Sequence, residues 1–93
     1  MIPTKQKFHA WLKRQRASRK FNYVDNYNCL IASWLKETKV EGKLPLTVVV
    51  TTRMAFVNGC HFEFPGWLTK LDLLIVALND EFTVKELRAA LKA

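Results

Sequence analysis

The sequence predicts an α+β fold in one small domain, and three observations carry that reading. Two stretches near the N-terminus place apolar residues at helical spacing, and a β-branched run with an Asn-Gly turn follows in the middle. A leucine-rich segment and a capped helical pattern then close the chain. The expected order is two helices, a short antiparallel hairpin or sheet, and two helices. With 93 residues, 49% of them hydrophobic, the chain supports one core and is too short for two ordinary ones.

The first helix is expected to begin near Pro3 and Thr4, with Phe8, Trp11 and Leu12 at i, i+3 and i+4 forming a narrow apolar stripe. At about 100° per residue, Lys5, Lys13, Arg16 and Lys20 run along one flank of that stripe and Lys7 and Arg14 along the other. Ser18 and Asn22 interrupt the pattern, so residues 18–25 read as a connector. In the second helix Asp25, Asn26 or Asn28 supplies the cap, and Tyr27, Leu30, Ile31, Trp34 and Leu35 form the core stripe. Gly42 and Pro45 end it.

"LTVVVTT" reads as a strand, since β-branched side chains are stiff and pack well on a pleated surface. Asn58-Gly59 then suits a two-residue type I′ turn, pairing Val57 with Cys60, Phe56 with His61, Ala55 with Phe62 and Met54 with Glu63. Alternation assigns Ala55, Val57, Cys60, Phe62 and Phe64 to the core face and Met54, Phe56, His61 and Glu63 to the other. Residues 67–79 fit a buried strand as well as a buried helix; their length and leucine content favour a helix buried on most of its circumference. Thr83 and Glu86 have capping-box spacing, and Val84, Leu87, Ala90 and Leu91 give the last helix its apolar face.

The charge is unevenly placed. The net charge is +7, and residues 1–24 carry Lys5, Lys7, Lys13, Arg14, Arg16, Arg19 and Lys20 with no acid, so residues 25–93 are neutral. Such a block favours an acidic partner, whether nucleic acid, an anionic membrane or an acidic protein face, and a merely solubilising surface is the competing reading. Phe21 and Tyr23, in the connector, are the aromatics left free of the core stripes and available for base stacking. No helix-turn-helix, RNP or zinc-finger pattern accompanies them.

The alternative to a binding protein is a small papain-like cysteine hydrolase or transferase, with Cys29 at a helix start as nucleophile, His61 as base and Asp25 or Glu63 orienting it. The competing reading of Cys29 is a small packed residue on the Ala32 side of the helix. Cys60, His61 and Glu63 do not make a metal site, because Cys60 and His61 face opposite ways along a strand. No metal and no cofactor is therefore expected, and two cysteines without CxxC spacing form no disulfide framework. The longest apolar run, residues 73–78, is far below the roughly 18–20 residues of a membrane span, and the basic start lacks a secretory pattern. A cytoplasmic protein, monomeric or a small homo-oligomer, is the expectation, with a structural subunit as a third functional reading.

"FHAWLKRQ" followed by "FNYVDNYNCLIASWLKE" resembles the opening of small phage and prophage proteins, in which a WL-type helix precedes an aromatic-D segment and an NC-x-x-A-x-x-L helix. The resemblance covers about the first 40 residues. It implies a phage accessory protein acting in the host cytoplasm, a class that includes anti-CRISPR inhibitors of host defence. It brings no active site with it.

Overall fold

The computed structural model describes residues 3–39, 42–51 and 53–92. Among these, the element order is α1 (Lys5–Lys13), β1 (Lys20–Asn22), α2 (Leu30–Glu37), β2 (Val48–Thr51), β3 (Met54–Val57), β4 (Cys60–Glu63), α3 (Gly66–Val76), β5 (Glu81–Thr83) and α4 (Val84–Lys92). This is the expected single α+β domain, with one addition. Besides the β2-β3-β4 sheet there is a second, two-stranded sheet of β1 and β5, which the sequence pattern did not reveal.

The addition rewrites the connector. Lys20, Phe21 and Asn22 pair antiparallel with Thr83, Phe82 and Glu81. Phe21 is therefore buried against Phe82, with ring centroids 6.1 Å apart, and is not free for stacking on a ligand. Tyr23 is half-buried against the core. Two three-residue strands at opposite ends of the chain give only a weak local signal, because their pairing partner is set by tertiary packing.

α1 starts as expected, with Thr4 accepting from the Lys7 amide, and buries Phe8, Trp11 and Leu12. It stops at Lys13, where the apolar stripe ends, so Arg16 and Lys20 stand beyond the helix. α2 also begins later than expected. Asp25 accepts from the Tyr27 and Asn28 amides and builds a turn, and Cys29, not an upstream Asx residue, is the N-cap. Tyr27 consequently lies outside the helix and is 61% exposed, not a core residue. The remaining stripe holds, and all of Leu30, Ile31, Ala32, Ser33, Trp34 and Leu35 are buried, which makes α2 the axis of the core. Trp34 is its largest fully buried side chain, packed edge-on to Phe8 and Trp67 at 5.1 and 5.7 Å.

The hairpin has the register read from Asn58-Gly59, both at positive φ (52° and 80°), and β2 extends it with Val48 opposite Val57 and Thr51 opposite Met54. The Asn58 carboxamide also accepts from the Leu46 and Thr47 amides at 2.7 and 3.2 Å, tying the turn to the start of β2. Val48, Val50, Ala55 and Val57 face the core, but Cys60, expected on the same face, is exposed at the start of the edge strand β4. Val40, Glu41 and Thr52, within the segments expected to end α2 and β2, lie outside the described residues.

α3 is a helix, the alternative favoured by length, yet it is buried along one stripe only: Leu68, Leu71 and Ile75. Leu73 and Val76 are more than half exposed, so the apolar run reflects composition more than burial. α4 carries the expected capping box in both directions, Glu86 N donating to Thr83 Oγ1 at 3.2 Å and Thr83 N donating to Glu86 Oε1 at 3.0 Å. Among the described residues no helix is long and apolar enough to cross a membrane.

Candidate interaction surface and an acidic cleft

The basic segment is held to the body at three levels. Phe8, Trp11 and Leu12 anchor α1 in the core, as a burial of large apolar surface requires. Arg88 of α4 then reaches the C-terminal end of α1, donating from Nη2 to the carbonyls of Leu12, Lys13 and Gln15 at 2.8, 3.0 and 2.9 Å. Leu12 and Lys13 belong to the last turn of α1, whose carbonyls find no amide four residues on within the helix, and a cation there also opposes the helix dipole. Finally β1 is stitched to β5 and the head of α4, with Val84 N donating to Arg19 O at 2.9 Å.

The seven basic side chains divide on this frame. Arg19 is used internally: it forks onto Glu37 with an Nη2–Oε2 distance of 2.7 Å, bonds Gln15, and lies over the Trp11 and Phe21 rings at 5.6 and 4.8 Å. Glu37 answers in its titration, its carboxyl held below the ordinary value by the Arg19 hydrogen bond first, with Trp11 Nε1 adding a second. Lys5, Lys7, Lys13, Arg14, Arg16 and Lys20 are all exposed. They form a basic surface spread over α1, the turn after it and the start of β1, not one continuous helical face. Beside it, Lys5, His9 and Lys70 rim an apolar groove of about 410 Å³ floored by Trp67, Leu74 and Leu91.

The cysteine–histidine pair is not assembled among the described contacts. Cys29 is 7% exposed, and its Sγ accepts from the Ala32 amide at 3.5 Å. Burial pushes its thiol upward, outweighing the first-turn amides that favour a thiolate. His61 stacks on Phe56 at 5.6 Å on the exposed face of the hairpin, and Asp25 spends its carboxylate on its own turn, which holds it below its ordinary value. Glu63 lies on the same edge strand as His61. The buried setting of Cys29 agrees with its reading as a packed residue. Among the described residues, no three of His, Cys, Asp and Glu cluster as metal ligands.

A second concavity was not foreseen. A cleft of about 280 Å³ opens between the β1–α2 segment, β2, α3 and β5, lined by Tyr23, Asn26, Cys29, Thr51, Asp72 and apolar side chains that include Ile31, Val50 and Phe82. Asp72 is half-buried there, and desolvation raises its carboxyl above the ordinary value. Tyr23 is raised too, by burial first and then by the nearby Asp72 charge. The available signal was a lone acid inside "LTKLDLLIVAL", four residues after one stripe position and three before another, hence on the flank of the buried face. Arg88 had no such signal, since its partners lie more than 70 residues away.

No protein-family model matches the chain, and no curated protein and no solved structure does.

Proposed function

We propose that this is a non-enzymatic binding protein whose basic N-terminal surface docks on an acidic face of a larger assembly, in the manner of the phage accessory proteins that its first 40 residues resemble. The target class is a host nucleic-acid-processing or defence complex, and an anti-CRISPR-like inhibitor is the particular form of this reading. The observation that carries it is the outward display of Lys5, Lys7, Lys13, Arg14, Arg16 and Lys20 on a segment whose apolar side is locked into the core. Charges on a fixed frame form a preorganised patch, and little ordering entropy is lost when it docks.

Two observations favour an acidic protein surface over nucleic acid. The apolar groove beside Lys5 and His9 offers a protein side chain a place to insert, which a phosphate backbone does not need. The aromatic rings expected to stack on bases are instead committed: Phe21 is buried and Tyr23 faces the acidic cleft. A pull-down from host lysate, run with and without nuclease, separates the two classes. Capture that survives nuclease fits a protein target. Capture lost on nuclease treatment replaces it with nucleic acid, and capture by neither route leaves the surface as a solubilising one.

A further inference from the structure

Asp72 is the only acid on α3, and it stands in a cleft whose other walls are largely apolar. Asp72 is half-buried, desolvation raises its carboxyl above the ordinary value, and none of the residues that line the cleft with it is a lysine, arginine or histidine. Its charge reaches across the cleft to both Tyr23 and Cys29. At the head of α2 the Ala32 amide, a donor that could otherwise meet an anion, is turned onto Cys29 Sγ at 3.5 Å. In a chain of net charge +7, this largely apolar cleft holds an acid and, among its described lining residues, no basic side chain.

We propose that the cleft binds an organic cation, a primary ammonium or guanidinium carried on a short apolar stem. The charged head sits at the Asp72 carboxylate, where a charge-assisted hydrogen bond replaces the water that burial has stripped away. An ammonium has three donors and no acceptor, and Tyr23, Asn26 and Thr51, whose side chains each carry an oxygen acceptor, line the same space. The stem packs on Ile31, Val50, Ile75 and Phe82. At about 280 Å³ the cleft lies just below the usual range for drug-sized ligands, which limits the occupant to one small ring or a lysine-length chain. The site is separate from the basic surface of α1 and does not rest on that surface being an interface.

The same head group has two sources, a free small amine or a lysine side chain presented by a partner, and the test distinguishes them. The full chain is titrated with benzylammonium, with Nα-acetyl-lysine amide and with the neutral benzyl alcohol, following the backbone amide resonances of Tyr23, Cys29, Asp72 and Ile75. Benzylammonium is expected to saturate and to bind about tenfold more tightly than benzyl alcohol, and Asp72→Asn, which keeps the side-chain shape, is expected to erase that difference. Saturation by the lysine amide as well assigns the site to a presented side chain, and its failure beside benzylammonium binding assigns it to a free amine. A second readout needs no variant: bound benzylammonium slows alkylation of Cys29 while the exposed Cys60 reacts at an unchanged rate. Equal binding of the alcohol and the ammonium, undiminished ammonium binding by Asp72→Asn, or no saturation by either cation at about 10 mM overturns the proposal.

Discussion

Arg88→Ala tests how the basic segment is fixed to the body. The Arg88 Nη2 group contacts three carbonyls, at 2.8, 3.0 and 2.9 Å, but it carries two protons, so the contacts amount to about two hydrogen bonds, one of them shared. A hydrogen bond to a charged group contributes about 1.5–3 kcal/mol. Two would give at least about 3 kcal/mol if fully buried. Two of these contacts are part-buried and one is exposed, and Leu12 O keeps the Gln15 amide at 3.1 Å, so water and backbone replace part of the loss. The helix-dipole term, about 0.3–1 kcal/mol, acts in the same direction. The expected destabilisation is about 2 kcal/mol, and for a domain of this size that corresponds to a fall in Tm of about 8–16 °C. Thermal unfolding followed by far-UV circular dichroism measures it. Arg88→Lys should fall between the two proteins, since one ammonium cannot reproduce the reach of the planar fork. A Tm for Arg88→Ala within about 2 °C of the parent would refute this account of α1 anchoring.

Three further outcomes are expected. Asn58→Ala should cost about 2 kcal/mol in denaturant unfolding, because alanine is strained at φ 52° and the acceptor for the Leu46 and Thr47 amides is lost. Asn58→Gly should recover part of that by relieving only the strain; a glycine variant no better than alanine would contradict this division. The folded-state carboxyl of Glu37 is depressed below its ordinary value of 4.5, so the stabilisation from its Arg19 pair is present above that pH and is lost as pH falls through the folded value. Glu37→Gln should then be less stable by under about 1 kcal/mol at neutral pH, as befits a pair this exposed, with the gap closing as pH falls below the ordinary carboxyl value and through the depressed folded one; a gap that widens in acid contradicts the assignment. In native protein Cys60 should alkylate rapidly and Cys29 only slowly, read by mass spectrometry of the two peptides. Fast labelling of Cys29 near pH 7 would revive the hydrolase reading.

Local pattern was enough wherever neighbours in sequence are also neighbours in space. The Phe8–Trp11–Leu12 stripe, the Asn58-Gly59 turn with its register, and the Thr83/Glu86 box all rest on interactions a few residues long, and all three are present. What escaped depends on long-range pairing. β1 and β5 are three residues each and acquire strand character only by meeting across the molecule. That meeting buries Phe21 and draws Arg19 into the Glu37 network, so one of the seven basic residues serves the fold and not the surface. Tyr27 fits a helical stripe by spacing, but the turn built by Asp25 delays the helix until Leu30. The candidate site was legible in part: the charge block could be located from sequence, whereas the Asp72 cleft needed four separate segments, the β1–α2 stretch, β2, α3 and β5, to be brought together.

The central claim, that the exposed basic surface is where the protein docks, is tested most directly by replacing Lys7, Lys13, Arg14 and Arg16 with glutamine together. Arg19 is left in place because its loss would disturb the Glu37 network. These four side chains are exposed, so the variant should unfold within about 1 kcal/mol of the parent. Affinity for the captured partner is then measured for both proteins across a salt series. The account predicts at least a tenfold loss of affinity at low salt and a flatter salt dependence in the variant. Binding at full strength with the parent's salt dependence would contradict it.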